Sequence, residues 1–600
     1  MNNDNWLEES RNAPDKFWEQ EAQRLLWSQK WSTLRNREGW FIGGTTNLCV
    51  NALDRHAEGK NRGKAALIWE NAELTESVTM TYWRLWNDVR RFAGALKNMG
   101  LFPGNRVMIY MPMSPELVIS VMGSARIGAV PCVVWHGSGV VPLVEKLETI
   151  RPRVVVTVDG FKYKGQKVAV MPTLDAAIKE SGVKPAYVVV CEKGFFTFKT
   201  QTGREISWHE AVNHLGEYFT PPAFVDANSV CSCVFTSGTT GKPRMLYRKL
   251  GETMVALLAL ARSAKITEND VIFSGGEVGS AQSFDDAVLM PLLMGATSVI
   301  YEGLPDYPTA GSWWEIVEKH GPTVLMCPAS ELSWLRRFHS KWVASHDLSA
   351  LRRIVIYGEP LHAPVRKWVT DMLKKPLTEL YRTTEFTSPL MVSRLEDSST
   401  LIPGPGVNIS ILDENDLEVT EDNFGRIAIR SPFPAGYNIY AGLEENEPRG
   451  SDLFYSCDLG KRNEDASYLI GGRVGEEVIA KEKLGTRLIE EVIVSNFVVA
   501  ESAVVQANEI TAFVVLKDNV PGTKPLKDEI KKAVTDALGE SATPKKVIFL
   551  KYLPRTPSGK ILRRVLKAMV AEEDIGDLSN IKNPDTLPAV RDALRAERLK

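Results

Sequence analysis

A run rich in hydroxyl side chains and glycine, CVFTSGTTGKPRM, occupies residues 233–245. Glycines at 238 and 241 let the backbone fold back and present its N–H groups as a concave anion site, and Lys242 adds a positive charge. Further hydroxyl donors suited to phosphate come from Thr236, Ser237, Thr239 and Thr240. The apolar residues before the run predict a loop that leaves a buried strand, although surface linkers can have the same composition.

This run is not the common nucleotide-binding loop GxxxxGK[ST]. Pro243 stands where that pattern needs Ser or Thr, and no glycine lies at the required spacing before Gly241. The sequence therefore predicts a phosphate site of a different type.

Four later segments carry further polar residues in defined places. YGEP (357–360) ends an apolar strand, where parallel α/β sheets place ligand contacts. YRTTEF (381–386) offers a Thr–Glu pair, YSCDLGKRNEDASYLIGGR (455–473) offers an Asp and an Arg, and LPRTPSGKILRR (553–564) offers a lysine after a glycine. The last three each have an ordinary alternative when taken alone: a helix-capping pair, a turn aspartate and a basic surface loop, respectively.

Together, in this order and spacing, the five segments resemble the adenylate-forming enzymes, the superfamily of acyl-CoA synthetases, luciferases and peptide-synthetase adenylation domains. FWEQ (17–20), TNLCVNALDRHAEG (46–59) and AALIWE (65–70) are further similar to the N-terminal region of AMP-forming acetyl-CoA and propionyl-CoA synthetases. The resemblance implies an acid–CoA ligase that uses ATP, Mg²⁺ and coenzyme A as substrate. Acid and ATP would give acyl-AMP and pyrophosphate, and CoA would then give acyl-CoA and AMP.

The resemblance also implies roles for individual residues. Lys560 would stabilise the adenylation transition state, Thr384 would bind the α-phosphate, and Glu385 would hold Mg²⁺. Asp458 would bind the ribose hydroxyls, and Arg473 would contact ribose or α-phosphate. The full set implied to bind the nucleotide is Thr236, Ser237, Gly238, Thr239, Thr240, Gly241, Lys242, Gly358, Glu359, Pro360, Tyr381, Arg382, Thr383, Asp458 and Arg473.

Coenzyme A has a less complete set of matches. The implied contacts are Lys162, Lys164, Lys167, Lys483 and Arg564, although the three lysines at 162–167 equally suit a solvated charge run. The segment 475–487 lacks the glycine that the family places beside pantetheine. An adenylating enzyme with a different acceptor, and a ligand-binding homologue without turnover, therefore stay open.

The acyl pocket departs from the family in polarity. The pocket residues implied by alignment are Ser280, Ala281, Gln282, Tyr357 and Arg382. Ser280 and Arg382 align with pocket tryptophans of acetyl-CoA synthetases. A buried arginine needs an anionic partner, so we expect a short acid with a second polar or anionic group, such as sulfoacetate or a dicarboxylate. Alternatively, Arg382 turns outward or pairs with Glu379 or Asp286, and a plain acetyl-CoA or propionyl-CoA synthetase stays open.

The elements that position these residues alternate along the chain. Short β-branched runs, such as 106–112, 153–159 and 353–360, alternate with amphipathic helices such as 83–99, which predicts an α/β fold with largely parallel sheets. Period-two alternation over 404–430 predicts antiparallel strands in a small barrel-like subdomain. The expected domains are 1–474, which binds ATP and the acid, and 475–600, a small mobile α+β domain that carries Lys560.

The N-terminal segment FWEQEAQRLLWSQKW (17–31) has helical spacing of its large side chains. It predicts a helix whose aromatic residues dock on the main body of the protein.

Composition limits the remaining choices. The chain has 600 residues, 44% hydrophobic, with a formal net charge of −2, so neither nucleic acid nor an anionic membrane is an expected partner. Its seven cysteines form no CxxC pair, which favours free thiols in a reducing cytoplasm. The first residues, polar and acidic, do not resemble a signal peptide. Oligomeric state is left open.

Overall fold

The computed structural model describes residues 4–197, 204–213, 220–235, 245–394, 399–421, 423–430, 434, 439–440, 453–479, 483–556, 559–576, 578 and 581–598. The predicted phosphate-binding run at 236–242 lies outside these residues, as does Pro243.

One sheet of the described chain has eight strands and is largely parallel. Its strand Val154–Val158 consists of four valines and a threonine and is buried throughout, as expected for a parallel strand covered on both faces. In spatial order the strands are Glu205–Ser207, Tyr187–Cys191, Val154–Val158, Arg106–Tyr110, Val130–Val134, Val230–Phe235, Met245–Lys249 and Ile439–Tyr440. The first six are parallel, and the last two are antiparallel to their neighbours.

A second sheet joins thirteen of the described strands. Six neighbouring strands of this sheet, from Leu377–Tyr381 to Ala65–Glu70, run parallel, so their carboxyl ends share one edge. In spatial order the strands are Asn408–Leu412, Gly425–Arg430, Leu453–Arg462, Tyr468–Arg473, Leu401–Pro403, Met391–Ser393, Leu377–Tyr381, Arg353–Tyr357, Val324–Pro328, Val271–Ser274, Thr297–Tyr301, Ala65–Glu70 and Ser77–Thr81.

The antiparallel strands predicted after residue 404 are present and differ in arrangement from a separate barrel. They extend the thirteen-stranded sheet, because Met391–Ser393 pairs with Leu377–Tyr381 on one side and with Leu401–Pro403 on the other. Asp458 and Arg473 therefore lie on the same sheet as the parallel strands.

Helices cover both sheets. The helix Tyr82–Asn98 begins after Thr81, whose hydroxyl accepts a hydrogen bond from the Arg84 amide at 3.2 Å. The other helices up to residue 474 are Asp4–Asn12, Pro14–Ala22, Arg55–Ala57, Pro115–Arg126, Val140–Ile150, Met171–Ser181, Trp208–Asn213, Leu250–Ser263, Ala281–Phe284, Met290–Met294, Ser312–His320, Ala329–Leu335, Lys341–Ala344 and Ala363–Trp368, with π-helical turns at Val50–Asp54, Asp285–Leu289 and Val369–Leu373.

Short antiparallel strands complete the large domain. One hairpin, Gly160–Tyr163 with Gln166–Ala169, carries the three predicted CoA-binding lysines. The others are Trp27–Gln29, Thr45–Thr46 and Val225–Asp226 in one sheet, and Thr33–Asn36 with Gly39–Ile42 in another.

The predicted helix over 17–31 is correct only in its first part. The helix Pro14–Ala22 ends before Leu25, and Trp27–Gln29 is a strand that pairs with Thr45–Thr46. Tertiary pairing thus overrides the helical spacing. The aromatic residues do dock on the main body, since Trp18 is fully buried and its indole nitrogen packs against Gly406.

The C-terminal part has its own elements and its own packing. The strands Val499–Gln506, Ile510–Leu516 and Lys546–Leu550 form a sheet, and Glu477–Ile479 pairs with Lys483–Gly485. Its helices are Thr486–Ser495, Lys524–Leu538, Arg563–Ala571 and Thr586–Arg598, with a 3₁₀ turn at Glu540–Ala542. The large hydrophobic core ends at Ile470 and the C-terminal cores begin at Val478, so the predicted boundary at 474/475 falls between them.

Within the described residues, no helix is both long and apolar enough to cross a membrane. The location in the cytoplasm stays a prediction.

We predict that Trp18→Ala destabilises the large domain by about 3–5 kcal/mol, because it empties a fully buried site. Urea unfolding followed by circular dichroism measures the shift in midpoint. Phe102→Ala is the matched control, since the Phe102 side chain is 68% exposed and its removal leaves no cavity. Equal midpoint shifts for the two variants would contradict docking of the N-terminal helix Pro14–Ala22 on the main body.

Candidate active site

Two of the predicted nucleotide-binding segments, 357–360 and 381–386, lie together at one edge of the thirteen-stranded sheet. The strands Arg353–Tyr357 and Leu377–Tyr381 are parallel neighbours, so the residues that follow them, 358–360 and 382–385, emerge side by side. Gly358 has a φ of +90°, a conformation that other residues rarely adopt, and it faces the amide oxygen of Gln282. The edge therefore joins predicted adenylate-binding residues to the acyl pocket.

Tyr381, Asp458 and Arg473 form a polar group beside this edge. The Tyr381 hydroxyl donates to Asp458 Oδ2 at 2.7 Å, and Arg473 Nε lies 3.8 Å from Asp458 Oδ1. Burial and the Asp458 charge raise the pKa of Tyr381, so its hydroxyl stays a donor at neutral pH. Because Asp458 and Arg473 are register partners on adjacent strands, the ladder fixes their spacing.

Lys560 reaches the same edge from the C-terminal domain. Its backbone amide donates to Thr556 Oγ1 at 3.2 Å, and the preceding Gly559, with φ +85°, lies against Ser330 of the large domain. Burial and the nearby Arg473 charge lower the pKa of Lys560, while Asp458, Glu359 and Glu385 act in the opposite direction. The ammonium group is therefore close enough to interact with residues from all three predicted nucleotide-binding segments that the structure describes.

The carboxylate of Glu385 is a suitable magnesium ligand. It lies with Thr384 in the turn after the strand Leu377–Tyr381. No group of three His, Cys, Asp or Glu side chains suited to a metal occurs among the described residues. Mg²⁺ usually takes one or two carboxylates and completes its shell with phosphate oxygens and water, so a single carboxylate beside the nucleotide suffices.

The environment of Arg382 corrects the expectation of an anionic substrate group. Arg382 Nη1 donates to both Asp286 carboxylate oxygens, at 2.8 and 3.0 Å, and Nη2 lies 3.5 Å from Asp285. Asp285 in turn accepts from Arg248 at 2.6 and 2.9 Å. All four side chains are almost completely buried, so the protein itself supplies the anions that Arg382 needs.

Of the two internal partners considered from sequence, Asp286 is the one found. Glu379 pairs with Arg366 instead. Burial raises the pKa of Asp286 to about 6 although Arg382 lies beside it, so the carboxyl is ionised at neutral pH.

The other predicted acyl-pocket residues surround this ion network. The Tyr357 hydroxyl lies 3.2 Å from Ser283 Oγ, and its ring faces the Arg382 guanidinium at 5.4 Å. Ser280 and Ala281 begin the short helix Ala281–Phe284. Gln282 is buried, and its amide nitrogen has no hydrogen-bond partner in the described part of the chain. Among the predicted pocket residues, Arg382 Nε also lacks a hydrogen-bond partner within the described part of the chain, so the Gln282 amide is the uncharged one of two unpaired buried donors.

The predicted CoA-binding residues lie farther apart. Lys162 Nζ lies 3.1 Å from Glu73, and Lys164 sits at the hairpin turn with φ +48°. Lys167 pairs with Lys162 across the hairpin, and both ammonium groups lie near the Phe195 ring. Arg564 Nη1 donates to the carbonyl of Ile575 at 2.7 Å within the C-terminal domain. Lys483 begins the strand Lys483–Gly485, and its side chain is outside the description.

Sequence reasoning missed two sets of residues near the site. Arg248 and Asp285 complete the ion network beneath the pocket. Their partners lie far away in the chain, so no local sequence pattern indicates that these residues belong to the network. Lys582 of the C-terminal domain lies 3.1 Å from Glu277 of the large domain. The surrounding IKNP run (581–584) matches no motif that could have indicated this contact.

Comparison with known families decides the class. The AMP-binding enzyme family matches residues 53–437, its C-terminal domain matches 488–560, and the acetyl-coenzyme A synthetase N-terminus matches 4–52. The chain belongs to the AMP-binding enzymes. It is an AMP-forming acid–CoA ligase of the adenylate-forming superfamily, with ATP, Mg²⁺ and CoA as its co-substrates and cofactor.

Relatives match this AMP-forming ligase over nearly its full length. An acetyl-coenzyme A synthetase of Gemmatimonas aurantiaca is 33% identical, over 99% of this chain and 96% of its own. A 3-hydroxypropionyl-coenzyme A synthetase of Metallosphaera sedula is 33% identical, over 98% and 94%. A propionate–CoA ligase of Salmonella typhimurium is 32% identical, over 98% and 99%. The acetoacetyl-CoA synthetase of Streptomyces lividans shares the fold, with a TM-score of 0.87 at 21% identity, over 98% and 94%.

The ion network predicts an asymmetric response to mutation. Arg382→Met should lower the free energy of unfolding by about 3–5 kcal/mol, because it leaves Asp286 buried without its counter-ion. Adding Asp286→Asn should restore part of the loss. Urea unfolding measures both variants.

Arg394→Met is the matched control for this test, since Arg394 forms an ion pair with Asp465 at the surface. Its cost should stay below about 1 kcal/mol. A loss for Arg382→Met no larger than that of the control would show that the network does not support the fold.

Proposed function

We propose that this ligase activates a short carboxylic acid that carries an uncharged polar substituent, such as a hydroxyl group. The observation that carries the proposal is the buried, unpaired amide nitrogen of Gln282 beside Gly358. A buried donor without a partner costs about 1–3 kcal/mol, so a substrate oxygen that accepts from it gains that much in selectivity. The 3-hydroxypropionyl-coenzyme A synthetase among the relatives supports an acid of this size.

A second anionic group on the acid loses its main support. Sulfoacetate and dicarboxylates were expected because Arg382 needed an anion, and Asp286 and Asp285 fill that need. With Arg248, the network has no net charge, so it offers an additional anion no uncompensated cation. Acetate and propionate, the acids in the names of other relatives, stay the competing substrates.

The site residues are proposed to act in two steps. In the first, the carboxylate oxygen attacks the α-phosphorus and pyrophosphate leaves with the electrons of the broken P–O bond. Lys560 would stabilise the charge that develops on the α-phosphate, Thr384 would bind that phosphate, and Glu385 would hold Mg²⁺. Asp458 and Arg473 would fix the ribose. In the second step the CoA thiolate attacks the acyl carbonyl, and AMP leaves.

The test is pyrophosphate release with ATP and Mg²⁺, with and without CoA. The acids are acetate, propionate, 3-hydroxypropionate, malonate, succinate and sulfoacetate. Highest kcat/KM with 3-hydroxypropionate, and CoA-dependent thioester formation, are the expected results. A preference for sulfoacetate or a dicarboxylate would overturn the pocket argument, and product without CoA would indicate a different acceptor.

Gln282→Leu tests the residue itself. It should lower kcat/KM for 3-hydroxypropionate about tenfold, equivalent to the loss of one hydrogen bond of about 1.4 kcal/mol, and leave propionate equal or better. Gln20→Leu, at an exposed helix position, is the control. Equal losses for both acids would mean that Gln282 does not contact the substituent.

Lys560 should give adenylation an alkaline limit. Because burial and Arg473 lower the pKa of Lys560, the ammonium group loses its proton below the ordinary lysine value of 10.5. The rate of ATP–pyrophosphate exchange in the presence of the carboxylic acid substrate should therefore be highest at neutral pH and fall as pH rises through that lowered pKa. Lys560→Arg should be slower and lack the fall, since an arginine stays charged. An unchanged alkaline fall in this variant would assign it to another group.

A further inference from the structure

The segment around Lys582 is fixed to the base of the loop that carries Lys560. The Lys582 amide donates to the carbonyl of Arg555 at 2.7 Å. Asn583 Oδ1 accepts from the Arg555 amide at 2.9 Å, and its Nδ2 donates to the Leu553 carbonyl at 2.9 Å. Movement of this segment must therefore carry the start of the Lys560 loop with it.

The Lys582 side chain leaves its own domain and contacts the large one. Its Nζ lies 3.1 Å from Glu277 Oε1, and the two side chains are only 14% and 22% exposed. Glu277 belongs to the segment 275–283, which also carries Gln282 and the Ser283 that bonds Tyr357. One ion pair thus links the C-terminal domain to the wall of the acyl pocket.

The surroundings of this pair make it matter to the domain orientation. Lys582 lines a small cavity with Glu277, Glu331 and His136. Burial raises the pKa of Glu331, and the positive charge of Lys582 has the largest opposing effect on that pKa. If the domains part, Glu277 loses its ion-pair partner and Glu331 loses a nearby cation. The contact is therefore strong only in the orientation that brings Lys560 to the site.

The same lysine lies between the predicted CoA hairpin and the acyl pocket. The His136 ring contacts Phe161 of the hairpin, with centroids 4.5 Å apart, and Tyr163 interacts electrostatically with Lys582. A pantetheine arm that runs from the hairpin lysines to an acyl-adenylate would pass this cavity. The Lys582 side chain must then leave the cavity before thioester formation.

We propose that Lys582 and Glu277 form an orientation latch, an ion pair that holds the Lys560 loop over the site during adenylation and opens before CoA attack. In this role Lys582 is a positioning residue, acting through Lys560. The inference rests on the proposed function, in which Lys560 serves the first half-reaction and CoA is the acceptor.

Separate assays of the two half-reactions test the latch. Adenylation is measured as ATP–pyrophosphate exchange, with whichever of the six acids above has the highest kcat/KM. Thioester formation is measured as the reaction of the chemically synthesised adenylate of that acid with CoA. Lys582→Ala should slow exchange about tenfold, which corresponds to about 1.4 kcal/mol. Thioester formation should be unchanged or faster, because the cavity is then open.

Two variants complete the design. Lys582→Arg keeps the charge and should recover most of the exchange rate. Lys546→Ala removes the pair of Lys546 with Glu509, which lies within the C-terminal domain, and should change neither half-reaction. Thermal unfolding of each variant checks that the fold is retained.

The outcomes separate the latch from the proposed function. Equal slowing of both half-reactions by Lys582→Ala, or no change in either, would overturn the latch. A wild-type enzyme that forms no thioester would overturn the proposed acceptor. Even then, an exchange defect confined to Lys582→Ala and reversed in Lys582→Arg would support the part of the proposal in which Lys582 holds the Lys560 loop during adenylation.

Discussion

Four charged side chains buried beneath the acyl pocket set the limits within which the site works. Arg248, Asp285, Arg382 and Asp286 are almost inaccessible to water, and each is neutralised by another member of the group. Charges in such a place are tolerated when each has an oppositely charged partner. This network therefore fixes the turn Asp285–Leu289 and the residue after the strand Leu377–Tyr381 relative to each other, and with them both sides of the pocket.

A fixed, neutral floor leaves specificity to the residues above it. Tyr357 is already engaged with Ser283, whereas Gln282 keeps an unpaired donor. The difference matters because a pocket that hydrogen-bonds a substrate group rejects analogues that lack it far better than an apolar pocket rejects an extra methylene. The same segment, 275–283, receives Lys582 at Glu277, so pocket shape and domain orientation depend on one stretch of backbone.

Much of this arrangement is predictable from the sequence, and the exceptions have a common cause. The parallel strands, and the choice of Lys560, Asp458 and Arg473 as site residues, follow from local pattern and from motifs whose spacing is typical of the superfamily. The end of the N-terminal helix at Ala22 does not, because pairing of Trp27–Gln29 with Thr45–Thr46 is decided by a segment distant in the chain. The arrangement of the strands after residue 404 differs from a separate barrel for the same reason.

Arg382 shows most clearly where local pattern stops being informative. Its residue type led to the expectation of a polar, charged pocket, and the same reasoning required a compensating anion. Sequence position alone gives no means to choose between an anion on the substrate and one on the protein, and Asp286 lies 96 positions away in the chain. The fold supplies that anion internally, which turns a substrate-binding cation into a structural one. A departure from a family pattern at a binding site therefore predicts a changed environment, while the contacts around it decide whether the substrate changes too.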